Sequence, residues 1–151
     1  VGIDTLYHIM EYNKNALSSD FEPGKVITEM YEGNTHGRKN GQGFYNWKEN
    51  LTEKGRPKID KSTKSGIFNV ELTMAIMLNE GCRILEEGVA KGYSVIDKAN
   101  MAGMNVPGPF GAGKKQFAKW VDMLDKLVEE TGIQYFKPCD LMKSGGFVKM
   151  R

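Results

Sequence analysis

Leu72-Thr73-Met74-Ala75-Ile76-Met77-Leu78-Asn79-Glu80-Gly81-Cys82-Arg83-Ile84-Leu85-Glu86-Glu87-Gly88-Val89 is the stretch on which the fold turns. Leu72, Ala75, Leu78, Cys82, Leu85 and Val89 recur every three or four residues, the period of one helix face. Met74, Ile76 and Met77 widen the stripe, so the middle of this helix is expected to be enclosed on most sides. Gly81 and Gly88 lower helix propensity. The expected return is close approach by another helix.

Downstream, Ser94 to Asn100 reads as a shorter helix, and Met101 to Phe110 as a turn punctuated by glycine and proline. A third long helix is expected from about Lys114 to Glu130, with Phe117, Val121, Leu124 and Val128 on one side and Gly132 ending it. Upstream, Ile3, Leu6, Ile9, Met10 and Tyr12 mark a helix with Asp4 near its start, broken at Ser18-Ser19-Asp20. Pro23 opens a short helix through Val26, Ile27 and Met30 that Gly33 closes. No stretch sustains apolar-polar alternation, so the chain reads as all-α.

Between the helical blocks the pattern changes. From Gly33 to Ser65, eight lysines and arginines face three acids, a local excess of five positive charges. Large apolar residues cluster there only at Phe44, Tyr45 and Trp47, which are expected to anchor a glycine-turned loop. The lysine-rich part lacks interleaved stacking aromatics, so a solvated linker is expected rather than a nucleic-acid surface.

An internal repeat appears at an offset of 115. Phe21-Glu22-Pro23 matches Phe136-Lys137-Pro138, and Ile3, Leu6, Ile9 and Tyr12 meet Ala118, Val121, Leu124 and Leu127. Val26 and Ile27 meet Leu141 and Met142. Such a period signals duplication. The expected organisation is residues 1–49 as the back half of a first helical repeat, 50–65 as a basic linker, and 66–151 as a second, nearly complete repeat.

The 151 residues are 40% apolar and 26% charged, with a net charge of +2, close to a soluble globular average. This argues against a membrane-spanning, fibrous or disordered chain, and gives no case for nucleic-acid binding. Cys82 and Cys139 lie far apart along the chain in no CxxC pattern, and no secretory signal peptide is seen, so a reducing, cytoplasmic setting is expected. The first residue is Val1, so a piece of a longer protein is expected.

Few motifs carry chemistry by themselves. Gly108 to Lys115 nearly spells a phosphate-binding loop, but Lys115 stands where Ser or Thr should hold magnesium and no buried strand precedes it. Gly37 to Tyr45 could cradle an anion with Arg38 and Lys39, yet lacks the strand context of a dinucleotide site. His8 and His36 belong to no set with metal-ligand spacing. Glu80 and Glu87 share a helix face. No catalytic, cofactor-binding or metal-binding residue is therefore assigned.

Taken together, the stretches resemble one family. Gly37-Arg38-Lys39-Asn40-Gly41-Gln42-Gly43-Phe44-Tyr45 is similar to the signature near the end of the C-terminal helical domain of 3-hydroxyacyl-CoA dehydrogenases. Asn79-Glu80-Gly81-Cys82-Arg83 with Leu85-Glu86-Glu87-Gly88-Val89-Ala90, then Asp97 to Ala102 and Gly108-Pro109-Phe110, resembles the earlier part of that domain. The resemblance covers almost the whole chain, as parts of two tandem copies, like the larger multifunctional β-oxidation enzymes in which a dehydrogenase is fused to an enoyl-CoA hydratase.

The resemblance implies an oxidoreductase that acts on a 3-hydroxyacyl-CoA with NAD, the NAD being held by a nucleotide-binding domain outside this chain. It implies acyl-CoA and the other domains of one polypeptide as partners, with self-association of the fragment possible through its uncovered first helix and no nucleic acid or membrane. The place matching the family's assisting asparagine, eight before Asn79, holds Glu71, and the Pro-Met-Gly-Pro-Phe turn is shortened to Pro107-Gly108-Pro109-Phe110. The second copy is therefore expected not to catalyse. Gly37, Arg38, Lys39, Gly41, Gly43, Phe44, Tyr45, Asn79, Glu80, Glu87, Gly88, Gly108, Pro109 and Phe110 are its structural, groove or interface candidates. The competing expectation is a stand-alone helical protein-interaction module.

Overall fold

The structure is a computed structural model that describes residues 2–60, 62 and 68–151. The expected linker's Lys61, Lys64 and Ser65, and the start of the expected second repeat at 66, lie outside the described residues. The chain divides into two compact units, Val1–Lys64 and Ser65–Arg151. The described residues form helices and turns, with isolated bridges but no strand. The all-α expectation holds.

In the first unit, α1 spans Ile3–Ala16 and α2 Lys25–Glu32, with a short 3-10 turn at Ser19–Phe21 between them. Ser18 caps that turn by accepting the Asp20 N–H, which stops the chain from continuing as α-helix. Gly33 ends α2, donating to the Glu29 carbonyl. Beyond it the backbone closes on itself through bridges from Gly37 to Gln42, Gln42 to Asn46 and Leu51 to Pro57. Residues 50–58, inside the expected linker, thus form a tight hairpin.

In the second unit, α3 spans Val70–Glu86, α4 Tyr93–Met104, α5 Pro109–Thr131 and α6 Asp140–Ser144. Asn69 caps α3 through its side chain, which accepts the Leu72 N–H at 3.0 Å. α3 and α5 share the most extensive packing. Ala75, Leu78 and Cys82 from α3, Phe110 and Leu124 from α5, Met142 from α6 and Phe147 beyond it are fully enclosed. Tyr93, Phe110, Phe147 and Phe117 run through this core as a chain of rings 5.4–5.8 Å apart.

Three boundaries differ from the sequence reading. α3 stops at Glu86, and Val89 is 74% exposed rather than the last residue of the apolar line. The cause is Gly88, whose positive φ of +70° turns the chain out of the helix. α4 runs on through Met101 to Met104, where Asn105 takes the left-handed cap. α5 begins at Pro109 rather than near Lys114, because Gly108 and Pro109 form a helix start.

The 115-residue offset carries over into three dimensions. α1 ends at Ala16 and α5 at Thr131; the 3-10 turns are Ser19–Phe21 and Gln134–Phe136; α2 starts at Lys25 and α6 at Asp140. Pro23 and Pro138, each lodged between the 3-10 turn and the next helix, are both buried. Both units therefore use the same helix, turn, proline and helix start.

Candidate functional site

The polar side of α3 grips the segment that joins α5 to α6. Asn79 is the one polar side chain in the buried set of described residues. Its Nδ2 donates to the Lys137 carbonyl at 3.0 Å and its Oδ1 accepts the Cys139 N–H at 2.9 Å, one bond on each side of Pro138. One helical turn on, Arg83 donates to the carbonyls of Tyr135 at 2.7 Å and Lys137 at 2.9 Å, and to Glu80 at 2.6 Å. Its guanidinium lies 5.0 Å from the centre of the Tyr135 ring, in cation–π range. Burial pushes the Tyr135 phenol up to about 12. A further turn on, Glu86 accepts the Leu141 N–H in the first turn of α6. Backbone groups freed by the proline and the helix start thus find partners on α3.

Glu71, in the first turn of α3, accepts from the Lys119 ammonium at 2.7 and 2.8 Å and from the Trp120 indole at 3.0 Å. Lys119 holds its carboxyl below the ordinary carboxylate value, with the indole adding to the effect. This carboxylate ties α3 to α5.

The two cysteines, distant in sequence, meet in space. The Cys139 thiol lies against the Cys82 thiol, and this contact raises the Cys82 thiol, with burial adding to the rise, while it lowers that of Cys139. Both are free thiols. The sequence reading did not bring them together, because their proximity arises only from packing α6 on α3.

The Gly108-Pro109-Phe110 turn is a helix start and a core plug. Asp97 on α4 accepts the Phe110 N–H at 3.2 Å, and its side chain occupies the space a Cβ at Gly108 would need. Pro109 and Phe110 are fully buried. A methyl at Gly81 would sit 2.6 Å from the Phe110 ring, so Gly81 permits the close approach expected of it. Gly88 does not: it has open space around it and serves the left-handed turn. Glu87 is exposed and caps the end of α3 through its backbone.

In the first unit, the Gly37–Tyr45 loop is held by backbone bonds. Gly37 donates to Gln42 at 2.7 Å, Gly41 to Gly37 at 2.9 Å and Trp47 to Gly41 at 2.9 Å. Gly43 packs so closely on Gly37 that a Cβ would lie 2.7 Å from the Gly37 Cα. Lys39 bonds Asp4 in the first turn of α1 at 2.5 Å and holds that carboxyl below its ordinary value. Phe44 and Tyr45 are 62% and 46% exposed, so they do not anchor the loop as expected. Hydrophobicity alone does not say what covers a ring, and here the backbone bonds make the anchor unnecessary. Arg38 is exposed. Tyr7 and His36 each stack with the Tyr31 ring, and His8 meets Tyr31 edge-on.

Sequence reasoning missed Arg83, Glu86, Asp97 and Asp4 as partners of the motif residues. The spacing of Asn79, Arg83 and Glu86 on one helix side was the available signal. Among the described residues, no three His, Cys, Asp or Glu side chains converge as a metal set. Nor does any helix of the described residues have the length and apolarity to cross a membrane.

Two helical units share the same turn and proline, and a glycine loop closes the first. Residues 1–47 match the model of the 3-hydroxyacyl-CoA dehydrogenase, C-terminal domain, family. Across 93% of this chain, the fatty acid oxidation complex subunit alpha of Vibrio cholerae serotype O1 is 31% identical. The subunit of the same name from Shewanella sp. (strain MR-7) is 26% identical across the whole chain. The chain is thus similar to that C-terminal domain over residues 1–47 and to fatty acid oxidation complex alpha subunits over nearly its whole length. It covers 21% and 24% of the length of these two relatives.

Proposed function

We propose that this chain is part of an NAD-dependent 3-hydroxyacyl-CoA dehydrogenase of the cytoplasm and supplies two tandem helical domains without catalysing alone. In the whole enzyme, NAD sits on a nucleotide-binding domain outside this chain, the helical units help wall the acyl-CoA groove, and the second copy stands in for a dimer partner within one polypeptide. The observation that carries this reading is Glu71. At the place where the resemblance calls for an assisting asparagine stands a carboxylate engaged by Lys119 and Trp120. Its bonding capacity goes to holding α3 on α5. The Asn79, Arg83 and Glu86 side chains likewise serve backbone groups. A domain that keeps its packing residues and loses the reacting one fits a structural copy.

The test is direct. The chain, incubated with NAD and a 3-hydroxyacyl-CoA, is expected to give no NADH absorbance above the blank. Turnover at a rate comparable to a full-length relative overturns the reading.

A further inference from the structure

We infer that the hairpin side of the first unit carries a binding site for a nucleoside diphosphate group, either free or as the end of a larger coenzyme. A cavity of about 410 Å³ is lined by Arg38, Tyr45, Trp47, Lys54, Arg56 and Ile59, among others. That volume lies within the range of small-molecule sites. The three lining cations make no salt bridge with any described carboxylate, and no acid lines the cavity. Glu53, on the same hairpin, lines the neighbouring surface instead.

Two arginines lining one cavity offer forked donors suited to phosphate oxygens, and a lysine adds a point charge. Tyr45 and Trp47 supply flat apolar faces of the kind on which a base stacks. The sequence placed the aromatics and the basic run in separate segments. The fold brings them to one cavity: Trp47 donates to Gly41 within the glycine loop, Thr52 donates to the Arg56 carbonyl at 2.7 Å within the hairpin, and residues of both segments line the same space. The Arg56 N–H also bonds the Thr52 hydroxyl. These backbone bonds hold the site before any ligand arrives, which lowers the ordering cost of binding. The inference stands on the cavity and not on the function proposed above.

The experiment is calorimetric titration of this chain with ADP, coenzyme A, inorganic pyrophosphate and a short single-stranded RNA, at low and moderate salt. ADP is expected to bind with a Kd below about 1 mM. Pyrophosphate is expected to bind at least about tenfold more weakly, for want of a stacked base. The double variant R38A/R56A should lose about tenfold or more in affinity, and Trp47→Leu several-fold. Circular dichroism checks that both variants stay folded, and R38K/R56K, which keeps the charge and loses the fork, should fall between. Comparable binding of ADP and coenzyme A identifies the diphosphate and base as the recognised group. No heat with either nucleotide, equal affinity for pyrophosphate, no effect of the arginine variants, or RNA bound more tightly than ADP each overturns the inference.

Discussion

Ile9 and Leu124 stand 115 residues apart at matching positions of α1 and α5, yet Ile9 is 49% exposed and Leu124 is wholly enclosed. Within its unit Leu124 joins the core that α3 contributes to, whereas the described helices of Ile9's unit are α1, α2 and a 3-10 turn, with no counterpart of α3. Leu124→Ala is expected to cost about 2–5 kcal/mol, the range for a large side chain removed from a core. Ile9→Ala should change stability by no more than about 0.5 kcal/mol, as for surface positions. Urea unfolding of the two variants checks this. Self-association through the open face of α1 would show as a mass that rises with concentration in light scattering, and Ile9→Lys should reduce that rise.

Asn79 is the polar residue whose loss should be felt most. Asn79→Ala strands the Cys139 N–H and the Lys137 carbonyl together, for a cost of about 2–3 kcal/mol. Asn79→Asp keeps the acceptor toward Cys139 but faces the Lys137 carbonyl without a donor. It should also destabilise. Chemical denaturation of both variants measures this. An unchanged midpoint for Asn79→Ala would remove the clamp from the account.

Gly81 and Gly88 should separate by mechanism. Gly81→Ala pushes a methyl into the Phe110 ring, which is fully enclosed and has no free volume to yield into. Overpacking of this kind costs about 1–3 kcal/mol. Gly88→Ala meets no neighbour and only forces a left-handed alanine, at about 1 kcal/mol. Repacking Phe110→Leu should soften the first substitution and leave the second unchanged. A thermal-melt series of single and double variants reads this out.

Acid should weaken the α3–α5 contact through Glu71. The folded state holds this carboxyl below its ordinary value, so the ionised group stabilises the fold at and above the ordinary carboxylate range. That contribution is lost as the pH falls through the lowered value. Glu71→Gln keeps an acceptor for Trp120 and gives up the charge. The variant is expected to melt lower than the parent near neutrality, to lose less on acidification and to meet the parent's curve at low pH. Melting temperature against pH checks the convergence.

The thiols should react in order. Cys139 is half-buried with its thiol lowered by the Cys82 thiol, whereas Cys82 is enclosed and raised. Native alkylation at neutral pH, followed by mass spectrometry, should mark Cys139 about tenfold faster or more. Equal rates in the folded chain would contradict the arrangement.

These residues also show what could be read in advance. The helices were legible because Leu72, Ala75, Leu78 and Cys82 repeat at the helical period, and the repeat was legible because Phe-x-Pro recurs at one offset. The end of α3 was not, since Val89 stays in phase with the apolar line while a left-handed Gly88 turns the chain away. Phe44 and Tyr45 look like core residues by composition and are exposed, because the bonds that hold their loop are main-chain bonds with no side-chain signature. The motif residues Asn79, Glu80 and Gly108 were visible, but their partners at Lys137, Arg83 and Asp97 depend on contacts across the fold.

The pair of bonds that Asn79 makes on either side of Pro138 also bears on which changes of chain length this domain can absorb. Only one residue separates the two backbone groups that the single amide spans. An insertion or deletion between Phe136 and Asp140 would shift one group out of reach and turn α6 by about 100° about its axis, moving Met142 off the core. The exposed run from Asn105 to Pro107 carries no such constraint. Related chains should therefore vary in length there and keep the interval from Phe136 to Asp140 constant.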